Sequence, residues 1–125
     1  MYRDDLGRLW KGPYPFNLGA VSTHAPRVHG VYEILYSGNQ AGRFKVAYIG
    51  IATGDTIYGR LRKHCSGSGN WALGRLGDPS SFSFVFYECD GASARQIESH
   101  TVTWSKPPFN TRPEYKHLIP SIAVH

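Results

Sequence analysis

The chain is poor in cysteine: Cys65 and Cys89 are the only two in 125 residues. Two thiols cannot brace a secreted scaffold, which excludes the disulfide-stapled class and predicts a cytoplasmic protein with free thiols. Long apolar runs are also missing. No stretch of roughly 18 apolar residues occurs, so no transmembrane helix is expected. Met1-Tyr2-Arg3-Asp4-Asp5 lacks the apolar core of a signal peptide. Acidic residues are scarce, nine against fourteen basic ones, for a net charge of +5. That balance predicts an anionic partner, most commonly nucleic acid, against the alternative of a merely basic surface.

Several chemical signatures are absent as well. His64, Cys65, Cys89 and His100 form no C-x₂-C or H-x₃-H pair, which argues against structural zinc. There is no Walker A loop, no G-x-G-x-x-G and no G-x-S-x-G, and Gly67-Ser68-Gly69 reads as a linker. Neither an internal repeat nor a low-complexity tract is visible.

What is present begins with two tripeptides, Gly30-Val31-Tyr32 and Tyr48-Ile49-Gly50. Between them lies Ser37-Gly38-Asn39-Gln40-Ala41-Gly42-Arg43, a strong turn signal. An antiparallel hairpin centred near Gln40 places Tyr32 opposite Tyr48 and Gly30 opposite Gly50. Opposed residues share a face, so two phenols stand together, flanked by glycines that leave room for a ligand backbone.

Residues 1–29 read as an irregular arm packing on the domain, broken by Pro13, Pro15 and Pro26. Strands are expected at Gly30–Tyr36 and Lys45–Ile51, rich in Val, Ile and Tyr. A helix follows, with Asp55 or Thr56 as N-cap and running to about His64. A short helix is expected from Asn70 to Leu76. Phe82–Cys89 reads as a central third strand. A last helix opens near Gly91-Ala92-Ser93 with Ser93 as N-cap, and buries Ala94, Ile97, Thr101 and Trp104. Pro107-Pro108 stops it. Residues 30–112 thus form one α/β domain with a small central antiparallel three-stranded sheet flanked by helices, and 113–125 a C-terminal tail.

Arg60 and His64 are i,i+4 neighbours on the first helix. With Ile57 and Leu61 as its apolar stripe, Arg60 lies at the edge between core and solvent. An arginine there grips a phosphate with two hydrogen bonds, and a histidine moves protons near neutral pH. The alternative is a solvated basic face. Glu98, beside the core-facing Ile97, is the only acid in the body of its helix. One carboxylate suffices as a protein foothold for Mg²⁺ when phosphate supplies other ligands; an ordinary surface glutamate is the alternative. Asn110, after Pro107-Pro108-Phe109, orients a neighbouring group or caps a turn.

Taken in order, Gly30-Val31-Tyr32, Tyr48-Ile49-Gly50, Arg60-x₃-His64, Glu98 and Asn110 resemble the GIY-YIG nuclease family. The likeness spans about residues 29–112. It implies divalent-metal-dependent endonuclease hydrolysis of DNA phosphodiesters at a site with a single metal ion. In that scheme Glu98 holds Mg²⁺ or Mn²⁺ and Arg60 stabilises the transition state. Tyr32 activates water, with His64 relaying its proton. Tyr48 binds phosphate or water and Asn110 steadies the site. Arg60, four before His64, is preferred to Arg62, which points to another helix face. Gly30, Gly50, Arg62, Lys63 and Arg75 are expected along the nucleic acid, and Trp71 is a further candidate contact. A homodimer or protein partner is a candidate source of specificity. The competing readings are a non-catalytic nucleic-acid-binding module that retains the fold, and a protein-interaction adaptor.

Overall fold

The computed structural model describes residues 2–36, 44–65, 82–107 and 110. The expected helix at 70–76, Trp71, Arg75, the hairpin turn 37–43 and the tail 113–125 lie outside these residues.

The elements are β1 (Tyr2–Arg3), β2 (Leu9–Pro15), α1 (Leu18–His24), β3 (Gly30–Tyr36), β4 (Lys45–Ala52), α2 (Ile57–Cys65), β5 (Phe82–Glu88) and α3 (Gly91–Ser105). The strands form one five-stranded sheet in the order β1-β2-β5-β3-β4. The segment expected to be an irregular arm therefore supplies two strands and a helix. β2 pairs antiparallel with β5 despite its prolines, with a register shift between Lys11 and Tyr14 that accommodates them.

β3 is buried along its whole length because it sits between β5 and β4 with helices over both faces. Alternation along it divides the core in two. Tyr32, Ile34 and Tyr36 pack with Val21 of α1, Ile57 and Leu61 of α2, and Phe82, Phe84 and Phe86 of β5. Val31 and Leu35 face the other way, onto Trp10, Ile49, Val85 and the α3 residues Ala94 and Ile97. Among the described residues, two helices thus cover one face of the sheet and one covers the other.

The helix ends are set locally. The Thr56 hydroxyl accepts the Gly59 amide at 3.0 Å and starts α2. The α3 N-cap is Asp90, not Ser93: its carboxylate accepts the Ser93 amide at 2.7 Å. Ala94, Ile97 and Thr101 line the buried side of α3 as expected, but Trp104 is 71% exposed. It lies on the last turn of the helix, before the Lys106 C-cap. Among the described residues no helix is long and apolar enough to cross a membrane.

Candidate active site

The β3–β4 register differs from expectation. Tyr32 pairs with Gly50, Ile34 with Tyr48 and Gly30 with Ala52. The displacement is two residues along β4, and an even displacement keeps every side chain on its face. Tyr32 and Tyr48 therefore still share a surface, as diagonal neighbours with ring centroids 6.1 Å apart. Gly50 explains the change. A Cβ there would strike the Tyr32 ring, which lies across the glycine on the neighbouring strand. At Gly30 a Cβ would strike the Tyr87 carbonyl of β5 and come within 2.9 Å of Ile57. Both glycines are buried. The room they leave is filled by the protein's own groups, in place of the expected nucleic-acid backbone.

Over these phenols lies α2. Its apolar stripe, Ile57 and Leu61, is fully buried, and this turns the flank bearing Arg60 and His64 toward β3 and β4. His64 is buried, which removes the reading as a solvated face. Its Nε2 is 2.8 Å from the Tyr32 hydroxyl, and its ring lies 5.0 Å from that of Tyr48. Burial, then the Arg60 charge, lowers the His64 pKa to about 4, so the imidazole is neutral at physiological pH. Burial raises the pKa of Tyr32 strongly; proximity to Tyr48 adds to this and Arg60 opposes it. Tyr48 is likewise raised by burial and opposed by Arg60. Both phenols therefore keep their protons at rest. Burial alone would lower the pKa of Arg60, but its hydrogen bond to Tyr32 and its electrostatic interaction with the two tyrosines, should they ionise, raise it on balance.

Glu98 stands on α3, and its charge acts on Tyr48. It is partly buried, and that burial raises its pKa. Among the described residues it makes no hydrogen bond or ion pair. An oxygen donor held partly out of water with no cation beside it suits a divalent ion. No group of three or more potential protein ligands gathers among the described residues, so other ligands would have to come from phosphate and water.

Asn110 acts on the backbone. Its Nδ2 donates to the Ile49 carbonyl and its Oδ1 accepts the Ile49 amide, both at 2.6 Å. β4 is the outermost strand of its side of the sheet. The amide therefore closes that open edge at the residue between Tyr48 and Gly50, and so holds the strand that presents Tyr48. Arg62 and Lys63 lie on the exposed side of α2, where Lys63 pairs with Asp55 at 3.0 Å. They sit beside the cluster rather than in it.

Two features escaped the sequence reading. Glu33 is a buried acid in the middle of β3, with Oε1 unpartnered. An acid inside an apolar strand was its only sequence signal. Arg27 stacks on Tyr58 of α2, a contact between distant positions that no local pattern encodes.

Residues 28–112 match the family profile described as the GIY-YIG catalytic domain. No curated protein matches the chain. A crystal structure of the GIY-YIG N-terminal endonuclease domain of UvrC from Thermotoga maritima, a tyrosine-to-phenylalanine mutant bound to the catalytic divalent cation, is similar in fold. Its TM-score is 0.52 at 19% identity, covering 74% of this chain and 96% of that one.

Proposed function

This chain belongs to the GIY-YIG family, and on that premise we propose that it is a divalent-metal-dependent endonuclease that hydrolyses phosphodiester bonds in DNA. The observation that carries this reading is the hydrogen bond between Tyr32 and His64, with the Arg60 charge acting on Tyr32 and Tyr48 and the Glu98 charge acting on Tyr48.

The proton path follows from the resting charges. Tyr32 is a phenol and His64 a neutral imidazole; the path uses the tautomer in which His64 carries its proton on Nδ1, so that the phenol donates to Nε2. As water attacks phosphorus, its proton passes to the Tyr32 oxygen while the phenolic proton passes to His64 Nε2. The low pKa of His64 makes this transfer uphill at rest. Negative charge growing on the phosphate favours the imidazolium and offsets that cost. Arg60, permanently charged, stabilises the same oxygens. Tyr48 keeps its proton and donates to phosphate or water. Mg²⁺ or Mn²⁺ held by Glu98 and substrate oxygens would supply neutralisation at the leaving oxygen. One such site cuts one strand, so a double-strand break takes two events or two subunits.

Incubation with supercoiled plasmid, with and without Mg²⁺ or Mn²⁺, tests the proposal. Nicked circles should appear only with the ion, and Glu98→Ala should yield none while melting and binding DNA as the parent does. Ion-dependent nicking by Glu98→Ala removes that residue from the metal role. DNA binding without nicking by the parent protein favours the non-catalytic module.

A further inference from the structure

Arg27 lies on the loop between α1 and β3, just before the family segment, and takes no part in the cluster described above. Its guanidinium carbon is 4.3 Å from the centroid of the Tyr58 ring. The loop is clamped at this point. Pro26 and Val28, the residues on either side, accept the Tyr58 and Ile57 amides at 3.0 and 2.9 Å. Arg27 is thereby fixed to the first turn of α2, the helix that carries Arg60 and His64.

Arg27 is exposed and makes no ion pair or hydrogen bond among the described residues. A guanidinium lying over a ring keeps the N–H donors of its rim available. Its rotamer is already restricted, so less freedom is lost when an anion binds. Asp55, the acid at this end of α2, is occupied by Lys63 and the Thr56 amide, so it does not compete for Arg27. Arg62, one helical turn beyond Tyr58, is exposed and also lacks an ion pair among the described residues.

We propose that Arg27, held in advance by Tyr58, binds a backbone phosphate of the nucleic acid away from the one being cut, and so extends the substrate path across α2. That the anion is nucleic acid rests on the nuclease reading; that a phosphate-class anion binds here rests on the stacked, clamped and unpaired guanidinium.

Equilibrium binding of a labelled DNA duplex in EDTA, which withholds the metal, tests this over roughly 50–200 mM salt. Arg27→Ala should bind several-fold more weakly, and its slope of log K against log salt should be shallower by about 0.9. Arg27→Lys and Tyr58→Leu keep the charge but lose the stacking; both should weaken binding at unchanged slope. These two variants carry the test if Arg27→Ala does not fold, as judged by melting. Parental affinity and slope in Arg27→Ala overturn the proposal, as does failure of the parent to bind duplex at low salt. If the parent nicks plasmid while Arg27→Ala binds normally, only the role of Arg27 falls. A parent that shows the slope change yet never nicks sinks the nuclease reading and keeps the phosphate site.

Discussion

The Tyr32 hydroxyl and His64 Nε2 lie 2.8 Å apart, a side-chain hydrogen bond between β3 and α2 in a buried setting. Neither group is charged at rest, because burial disfavours the phenolate and the imidazolium alike. In the proposed mechanism the pair holds its proton in place until substrate and metal charge arrive. Among the described residues, Arg60 is the positive charge that acts on both phenols.

That charge makes Arg60 the arginine whose loss matters most. Arg60→Ala should lower the cleavage rate by roughly 10²-fold or more, as for other transition-state donors. Arg62→Ala, on the exposed side of α2, should act mainly through DNA affinity. Single-turnover rates at saturating DNA separate the two; a larger rate loss in Arg62→Ala would reverse the assignment.

Gly50→Ala places a methyl group where the Tyr32 ring lies. The ring is locked by its bond to His64 and must shift. Overpacking of this kind costs about 1–3 kcal/mol, and misplacing a reacting group by about 1 Å costs on the order of 10²-fold in rate. The variant should therefore melt lower and cleave far more slowly. Unimpaired nicking by it would mean that the position of Tyr32 is not critical.

Asn110→Ala frees both backbone groups of Ile49 on the edge of β4. The expected cost is about 1–3 kcal/mol, less whatever water recovers. Asn110→Asp should do no better, since it keeps the acceptor but turns a carboxylate oxygen on the Ile49 carbonyl. Faster amide exchange at residues 48–50 in both variants would confirm the edge role, and unchanged exchange would refute it.

Glu33 should make the protein less stable in mild alkali. Burial first, then the charges of Asp4 and Asp5, raises its pKa to about 8 against an ordinary 4.5, while Arg8 opposes this. The folded state holds the proton more tightly, so this contribution is complete below pH 4.5 and lost as pH rises through 8. His64 has the opposite sign. Its folded pKa is lowered, so stability is lost as pH falls from 6.5 toward 4. Between pH 6.5 and 8 Glu33 acts alone of the two, with an expected loss of about 2 kcal/mol. Glu33→Gln mimics the neutral acid and should escape that loss. Melting curves of the two proteins that stay parallel from pH 6.5 to 8 would rule it out.

Much of the site was legible before the fold. The two tripeptides, the i,i+4 spacing of Arg60 and His64, and Glu98 beside Ile97 gave residue types, faces and order. Local periodicity carries that information. The N-terminal segment misled because its prolines argue against strands. β2 forms only because β5, about seventy residues later, offers it a pairing edge. The cap of α3 was misplaced because Asp90 and Ser93 are both good capping residues, and the chain path from β5 chose between them.

The sequence by itself determined which face each tyrosine takes, because strand alternation has period two and survives an even slip of register. It also determined which helix flank bears Arg60 and His64, because Ile57 and Leu61 must be buried. Only the tertiary structure decided that Tyr32 lies over Gly50 rather than opposite Tyr48, that Asn110 holds the edge at Ile49, and that His64 and Tyr32 sit neutral together. Those outcomes depend on contacts between segments far apart in the chain, where packing against a ring, an unpaired backbone edge and lost solvation set the energy. No local pattern contains those terms.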